Sequence, residues 1–404
     1  MVMAPPPLLL LFFFFFLFFS VPATSKTLPS DVAALRAFKD SISPSSINPW
    51  SCLASWNFAS DPCRPETPSH FTCGLVCSPA GRVVSITLDP AGYSGRLDPP
   101  ARSLAPLSLL AHLDLFDNSF HGPVPDLSSL RSLQTLVLAS NSFSGALPPR
   151  LLPSSLQTLD LSRNSLTGPI PAGLALPNLA TLDLSFNRLS GPLPTSLPPN
   201  LVALSLRGNS IAGSLARPTF ERLTRLEIVE LGANRLEGKL EAWFFLLPSL
   251  QQVDLANNSL TALEARRPPG GAGGSGGQLV AVDLSFNRIA GALPAELAEY
   301  PALAALSARG NRLTGQIPWQ YRWSKKGAPF RRLFLDGNFL NGKVPDGFLA
   351  PEGEMAGSFG DNCLESCPAS VPLCSPVQKP DWLCKQVYRL GQRTRRPSPT
   401  PGMQ

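Results

Sequence analysis

Two carboxylates that could act together, Asp160 and Asp183, occupy the same place in two copies of a repeated phrase. On neighbouring strands they would lie roughly 5 Å apart, and retaining glycosidases hold their two carboxyl groups at about this separation. Such catalysis also needs a pocket that raises the pKa of one carboxyl group and not the other. The repeat instead places similar acids along an open face, so we predict no enzymatic activity. The other acids assigned to this face are Asp89, Asp114, Glu230, Asp254 and Asp283.

Thiol and imidazole groups at His70, Cys73 and Cys77 present a second possible chemistry, because such ligands at short spacing can hold zinc. The chain has eight cysteines, however, and an even number in a secreted protein indicates disulfides. We therefore predict disulfide bonds and neither a metal nor another cofactor. Four cysteines in a group allow three pairings, which the spacing leaves open. The two groups are Cys52, Cys63, Cys73 and Cys77, and Cys363, Cys367, Cys374 and Cys384.

A repeated phrase positions the acidic residues, whereas the cysteines lie outside it. Residues 179–194 read LATLDLSFNRLSGPLP, and residues 156–171 read LQTLDLSRNSLTGPIP. One such unit cannot bury its own apolar side and needs stacked neighbours, which is typical of a solenoid. The alternation around Leu182 and Leu184 is that of a short strand. Asn187, which follows, can turn its amide inward and satisfy backbone groups of adjacent turns.

Repetition of this asparagine gives the number of turns. The first intervals are 23 residues and later ones vary from 22 to 29, so insertions must bulge from the stack. With Ala91 replacing the asparagine in an imperfect first copy, the sequence predicts an α/β solenoid of about 11 turns. We expect a parallel β-sheet on its concave face and irregular or 3₁₀ turns opposite. The predicted structural ladder is Asn118, Asn141, Asn164, Asn187, Asn209, Asn234, Asn258, Asn287, Asn311 and Asn338.

The tail of each copy resembles the LxGxIP hallmark of the plant-type extracellular leucine-rich repeat family. It reads LTGPIP at 166–171, LSGPLP at 189–194, IAGALP at 289–294 and LTGQIP at 313–318, and the resemblance covers about residues 28–384. Trp56 and Asp61-Pro62-Cys63 are similar to the N-terminal cap of that family. The resemblance implies a Cys63–Cys77 disulfide and caps at both ends of a leucine-rich repeat superhelix. The additional pair, Cys52 and Cys73, departs from the family pattern.

The chain divides into five predicted regions. Residues 1–25 are a signal peptide, because the apolar run at 8–19 is too short to span a bilayer comfortably. Residues 26–82 form an N-terminal cap with a helix over 30–42, and residues 83–345 form the repeats. Residues 346–384 form a C-terminal cysteine cap, and residues 385–404 form a basic disordered tail. No second apolar stretch is long enough to cross a membrane, so we expect no membrane span after signal removal.

Two insertions interrupt the repeat, and one glycosylation sequon lies within it. Residues 268–277 are rich in glycine and predict a flexible loop. Residues 319–332 combine Trp319 and Tyr321 with basic residues, which predicts either rings packed on the outer side or a recognition patch. The sequon at Asn257 makes this residue a candidate for glycosylation.

Arginines interrupt the repetitive face in the later turns. We take Arg207, Arg309 and Arg332, together with Trp319 and Tyr321, as candidates for contact with a partner. The net charge of +6 arises largely in the basic tail, which has five basic residues and no acidic ones, so it says little about partners. Secretion argues against nucleic acid as a partner.

The resemblance implies a receptor-like protein or co-receptor ectodomain. Such a protein would recognise a protein or peptide ligand, or a receptor-kinase ectodomain, in perception, signalling or plant defence. We expect secretion to the extracellular space or cell wall, with peripheral association with the plasma membrane through partners. The alternative is an inhibitor or adaptor that binds a secreted polysaccharide hydrolase at the cell wall, as polygalacturonase-inhibiting relatives do.

Overall fold

The computed structural model describes residues 26–64, 73–97, 104–269, 277–322, 330–345, 348, 355–368 and 370–393. The predicted signal peptide, His70, most of the insertion at 268–277 and half of the insertion at 319–332 lie outside these described residues. In chain order the strands are β1 (Leu75–Cys77), β2 (Val83–Thr87), β3 (Ser94–Arg96), β4 (His112–Asp114), β5 (Ser119–Gly122), β6 (Thr135–Val137), β7 (Ser142–Ala146), β8 (Thr158–Asp160), β9 (Ser165–Gly168), β10 (Thr181–Asp183), β11 (Arg188–Gly191), β12 (Ala203–Ser205), β13 (Ser210–Gly213), β14 (Ile228–Glu230), β15 (Arg235–Leu240), β16 (Gln252–Asp254), β17 (Ser259–Leu263), β18 (Ala281–Asp283), β19 (Ala290–Gly291), β20 (Ala305–Ser307), β21 (Arg312–Gly315), β22 (Arg332–Phe334), β23 (Phe339–Lys343), β24 (Ala356–Ser358) and β25 (Cys363–Glu365).

Helical segments are few and short within the described residues. The α-helices are α1 (Pro29–Asp40), α2 (Arg217–Phe220) and α3 (Asp381–Arg393). The 3₁₀ segments are Pro44–Ser46, Cys52–Ser55, Ala242–Leu246, Ala295–Glu299, Trp319–Tyr321 and Pro372–Cys374. The sheets therefore determine the architecture.

The main sheet has 13 strands in the order β1, β2 and then every even-numbered strand to β24. β1 pairs with β2 in antiparallel fashion, and the pairs from β2 onward are parallel. The middle residue of a strand is buried while its neighbours are half exposed, as for Leu182 between Thr181 and Asp183. This alternation confirms the predicted solenoid with a parallel sheet, because a period of two places every second side chain in the core.

The expectation of irregular turns opposite this sheet is incomplete. The odd-numbered strands form a second parallel layer, with eight strands from β3 to β17 and four from β19 to β25. Its strands use the residues between the asparagine and the glycine of the LxG motif, as in β11. Gly191 then has a φ of +82°, a conformation that glycine adopts without steric cost. Within the repeats, the 3₁₀ segments Ala242–Leu246, Ala295–Glu299 and Trp319–Tyr321 follow strands of this second layer along the chain.

The second layer breaks where the repeat lacks its glycine. Ala262 occupies that position in β17, and alanine is disfavoured at positive φ. β17 continues to Leu263 and pairs with β15 across a register shift at Gly238 and Lys239. The next strand in order, β19, begins the separate four-stranded sheet.

The asparagine ladder joins the turns. Asn187 Nδ2 donates to the carbonyl oxygens of Leu161, Leu184 and Ser185 at 2.9, 3.1 and 3.3 Å. Its Oδ1 accepts a hydrogen bond from the Leu166 amide at 2.9 Å. One buried amide thus satisfies backbone groups of two consecutive turns, which would otherwise be unpaired in the core.

The ladder continues one step beyond the ten asparagines named from the sequence. Asn362 is buried and donates to the carbonyl oxygens of Leu335, Phe359 and Gly360 at 3.0, 3.1 and 3.0 Å. The repeat geometry therefore extends past the predicted boundary at residue 345 and includes β24. The phrase FGDNCL at 359–364 carried this signal, although a phenylalanine replaces its leucine.

Disulfide bonds stabilise both ends of the solenoid. The disulfides are Cys52–Cys73, Cys63–Cys77, Cys363–Cys384 and Cys367–Cys374. Cys63–Cys77 is the pair that the family resemblance implied. The zinc interpretation is wrong because Cys73 and Cys77 are both bonded to other cysteines.

Helices complete both caps. The first, α1, runs from Pro29 to Asp40, close to the predicted helix over 30–42. Residues 385–393 of the predicted disordered tail belong to α3, which corrects that prediction. Tyr388 holds this helix against the second layer, because its hydroxyl donates to Phe339 O at 2.6 Å and accepts from Gly315 N at 3.1 Å.

A ladder substitution tests this account of stability. Asn187→Leu should leave backbone groups of two turns unpaired and lower the free energy of unfolding by roughly 1 to 3 kcal/mol. Asn178→Leu is the matched control, since Asn178 is exposed and donates only to Ser154 O at 3.1 Å. Chemical denaturation followed by circular dichroism would compare them. Equal destabilisation by the two substitutions would contradict a special contribution from the ladder.

Candidate functional site on the concave face

A concavity of about 520 Å³ lies on the main sheet over its later turns. Turns are numbered here by their ladder position, so that Asn187 belongs to turn 5 and Asn258 to turn 8. The concavity is formed by outward residues of β14, β16, β18, β20 and β22 and by the residues that follow these strands. Its exposed or half-buried lining includes Arg207, Glu230, Gln252, Asp254, Asn257, Ala281, Asp283, Phe286, Ala305, Ser307, Arg309, Arg332 and Phe334.

The recurring aspartates on this face are structural. Asp183 Oδ1 accepts a hydrogen bond from the Ser185 amide at 2.8 Å, and Asp160 makes the same bond to Ser162 at 2.9 Å. Each carboxylate thus closes the turn in which its strand ends, as Asp and Asn side chains do in Asx turns. Asp183 and Asp160 are partners in the register of β10 and β8, and neither lines the concavity described above.

Asp89 does not belong to the face, which corrects its predicted position. Its carboxylate accepts hydrogen bonds from Cys52 N at 3.1 Å and from Tyr93 Oη at 2.6 Å. Thr87 occupies the place in β2 that corresponds to Asp114 in β4. The predicted face position in the first copy was therefore two residues too late in the sequence. Asp89 instead joins the cap to the first turn.

Burial affects two of the carboxyl groups on this face. Desolvation raises the pKa of Asp183, and the charges of Asp160 and Glu230 add to this effect, while hydrogen bonds from Ser185 oppose it. Desolvation also raises the pKa of Asp254, although Arg207 and the Ala256 amide oppose it. The ionised forms of both groups are therefore less favoured here than in water.

Arg207 is committed to an ion pair inside the protein. Its guanidinium bonds to the Asp254 carboxylate across the intervening turn 7. Gly232 makes this crossing possible, since a Cβ at that position would lie 2.8 Å from both carboxylate oxygens of Asp254. The sequence could not reveal this pairing because the partners are 47 residues apart.

Of the two later arginines, Arg309 is also in an ion pair, whereas Arg332 is exposed. Arg309 Nη2 donates to Asp336 Oδ1 at 3.0 Å, and its guanidinium lies 4.9 Å from the centre of the Phe334 ring. Arg332 is exposed on the next strand, beside Ala305 in the register of β20 and β22. Phe286 stands nearby with 53% of its surface exposed. We call Phe286, Arg309, Arg332 and Phe334 the late-turn patch.

The aromatic candidates of the insertion lie elsewhere. Trp319 is 64% exposed on the 3₁₀ segment Trp319–Tyr321, between the second layer and β22, and does not line the concavity. Tyr321 is fully buried, stacks on Phe330 and donates to Pro294 O at 2.7 Å. The assignment of Tyr321 as a partner contact is therefore wrong, because its ring belongs to the core.

Sequence reasoning overlooked the residue that precedes each ladder asparagine. This residue has a positive φ in turn after turn, for example +53° at Phe186, +55° at Asn257 and +56° at Phe286. Phenylalanine at this position covers a glycine of the next turn, as Phe286 covers Gly310. The sequence indicates this conformation because glycine, aspartate or asparagine is frequent at this position, and these residues adopt a positive φ more readily than others.

Within the described ranges, no group of three or more His, Cys, Asp or Glu side chains is placed to hold a metal ion. In the same part of the chain, no helix has the length and apolarity needed to cross a membrane. The geometry that remains is an open, mixed-charge concavity with aromatic groups at one end.

Comparison with known proteins agrees with this geometry. Residues 131–189 and 199–260 match the leucine rich repeat model, and residues 28–67 match the leucine rich repeat N-terminal domain. These parts of the chain are leucine-rich repeats preceded by a leucine-rich repeat N-terminal domain, as the resemblance implied.

Relatives and solved structures are of the same kind. Receptor-like protein 7 of Arabidopsis thaliana is 34% identical over 156 residues, which cover 37% of this chain and 14% of that protein. The chain thus spans a small part of the curated relatives that it matches. The plant peptide hormone receptor RGFR1 in complex with RGF2 has a TM-score of 0.60 and 30% identity, covering 70% of this chain and 45% of that chain. A plant ice-binding protein has a TM-score of 0.58 and 25% identity, covering 87% of this chain and 99% of that chain.

The raised pKa of Asp183 yields a prediction. A proton binds more tightly to this carboxyl group in the folded than in the unfolded chain, so its contribution to stability decreases as pH rises through the raised pKa. Asp183→Asn keeps an oxygen for the Ser185 amide and removes the charge. It should therefore raise the melting temperature at neutral pH, and the gain should vanish as pH falls below the ordinary Asp value of 3.8.

Asp183→Ala is the matched control, because it removes both the charge and the hydrogen bond and should be less stable than Asp183→Asn at every pH. Thermal denaturation between pH 3 and pH 8 would follow both variants. A gain for Asp183→Asn that does not change with pH would contradict the electrostatic explanation.

Proposed function

We propose that the chain is a secreted, non-enzymatic recognition module that binds a peptide or protein, as a receptor-like protein or co-receptor ectodomain does. Its setting would be extracellular perception, signalling or defence. The observation that carries the proposal is the late-turn patch beside an open concavity, on a fold like that of a receptor in complex with RGF2. Extracellular or cell-wall localisation, with attachment to the plasma membrane through a partner, follows from the same proposal.

The chemistry of the patch suits a polypeptide. Aromatic rings and arginine are the residue types enriched in binding hot spots. Ala281 and Ala305 are half-buried and small, so the floor between these groups stays open. An extended segment laid across the strands would meet a new side chain at each turn, roughly every 4.8 Å. Arg332, exposed on its strand, is the residue best placed to meet an acidic group.

We do not propose ice binding for this chain, although its fold resembles that of the plant ice-binding protein. A crystal lattice requires a regular surface of small groups, whereas exposed arginines interrupt the second layer. Three of them, Arg188, Arg235 and Arg312, are the first residues of β11, β15 and β21, and Arg288 precedes β19 by two residues.

Site-specific photocrosslinking would test the proposed function. A photoreactive residue at Ala305, in the concavity, should capture a peptide or a receptor ectodomain from plant cell-wall extract. The matched control is the same residue at Thr167, which is exposed on β9 of the second layer. A polysaccharide hydrolase captured at Ala305 would favour the inhibitor alternative. Equal capture at both positions would count against a concave binding site.

Charge removal in the patch gives a sharper prediction. Arg332→Ala together with Arg309→Ala should weaken binding of the captured partner at least tenfold, which is about 1.4 kcal/mol. Stability should change by less than about 1 kcal/mol, since Arg332 is exposed and the Arg309–Asp336 pair is near the surface. Binding of the unmodified chain should also weaken with added salt.

Surface plasmon resonance at two salt concentrations would measure these effects. Arg188→Ala, which removes an exposed arginine from the second layer, is the control and should bind normally. Unchanged affinity of the double variant would refute the assignment of the late-turn patch.

A further inference from the structure

We infer that Asn257 is a site of asparagine-linked glycosylation and that the attached oligosaccharide covers the middle of the concave face. Asn257-Asn258-Ser259 has the acceptor form Asn-X-Ser, with asparagine rather than proline in the middle. The inference goes beyond the proposed function, because it concerns a modification that occurs whether or not the chain binds a peptide.

The two adjacent asparagines have opposite environments. Asn258 is buried, and its Nδ2 donates to the carbonyl oxygens of Leu231, Leu255 and Ala256 at 3.0, 3.0 and 3.3 Å. Asn257 is exposed, and among the described residues its side chain makes no hydrogen bond. Attachment of a sugar to Asn257 would therefore break no interaction of the fold.

The backbone at Asn257 is held from both sides. Its amide donates to Ser285 O at 2.8 Å in turn 9, and its carbonyl oxygen accepts from Asn234 N at 3.2 Å in turn 7. Its φ of +55° lies in the left-handed region, which asparagine tolerates better than most residues. A glycan would thus be attached at a fixed point of the concave face.

Neighbouring side chains leave room for an oligosaccharide. The equivalent residue in turn 7 is Ala233, which carries only a methyl group. In turn 9 it is Phe286, whose ring lies against Gly310 of turn 10, where a Cβ would approach it to 2.7 Å. Phe286 therefore leans away from Asn257. Asn257 itself lines the concavity, as Asp254 and Ser285 do.

A glycan at this place would divide the concave face. On one side lie Arg207 and the acids of the earlier turns, and on the other lies the late-turn patch. Since Arg207 is already paired with Asp254, the glycan would stand over the part of the concavity whose charges are satisfied. Turns 9 to 11 would remain accessible.

Occupancy is tested on the full chain expressed in plant cells. Peptide mass spectrometry before and after treatment with a peptide N-glycosidase should find Asn257 modified in the unaltered chain and in Ser259→Thr. Ser259→Ala, which keeps Asn257 but removes the acceptor sequence, should lose the modification. Recovery of the full chain with Asn257 unmodified, whether from the medium or from cells, would overturn the inference.

Coverage of the concave face by the glycan is tested by comparing the glycosylated chain with Ser259→Ala. A cysteine introduced by Gln252→Cys, at an exposed site of the concavity, should react several-fold more slowly with a polyethylene glycol maleimide when Asn257 is glycosylated than in the Ser259→Ala background. Reaction with N-ethylmaleimide, which is small, should not differ. Thr167→Cys on the second layer is the control and should be equally reactive in both backgrounds. Equal rates at Gln252→Cys would show that the glycan does not cover the face.

Discussion

The structure depends on one buried side-chain amide in each turn. A solenoid must bend its backbone inside the core at every strand end, and each bend leaves carbonyl and amide groups without a ladder partner. Asn164 and Asn187 each satisfy such groups in their own turn and in the preceding one. Because each amide joins two turns, the interaction links the stack along its axis, which packing of leucines alone would not specify.

The same bend imposes a second constraint, the left-handed residue before each asparagine. Its side chain is held at the rim of the concave face, so it varies with little effect on the core. Glycine at this place in turns 6, 10 and 11 lies next to larger groups, and Phe186 and Phe286 cover Gly208 and Gly310. The residue before each asparagine is therefore fixed in backbone conformation but free to differ in side chain, so that each turn can present a different group at the surface.

Repetition made the fold predictable from the sequence, and departure from repetition limited that prediction. The strand, the ladder and the disulfide-bonded caps follow from residues that recur in register or cluster at the ends. Asp89 was misplaced because the first copy has threonine, not aspartate, at the strand position, and its aspartate lies two residues further on. Tyr321 was misassigned because an insertion has no neighbouring copy with which to compare its burial. The second layer was missed because its strands use the same residues that were interpreted only as a turn.

The concave site illustrates why local sequence could not resolve the arginines. Arg207 and Arg309 occupy equivalent positions in their turns, four turns apart, and appear identical in the repeat. Their environments differ because Gly232 lets Arg207 cross to Asp254, whereas Arg309 lies over Phe334 and pairs with Asp336. Contacts between turns, with residues more than twenty positions away, therefore decide which acid each arginine pairs with and leave Arg332 exposed. For this reason we place recognition in the late-turn patch, where Arg332 is exposed and Arg309 is held in position beside an aromatic ring, and not at every arginine of the face.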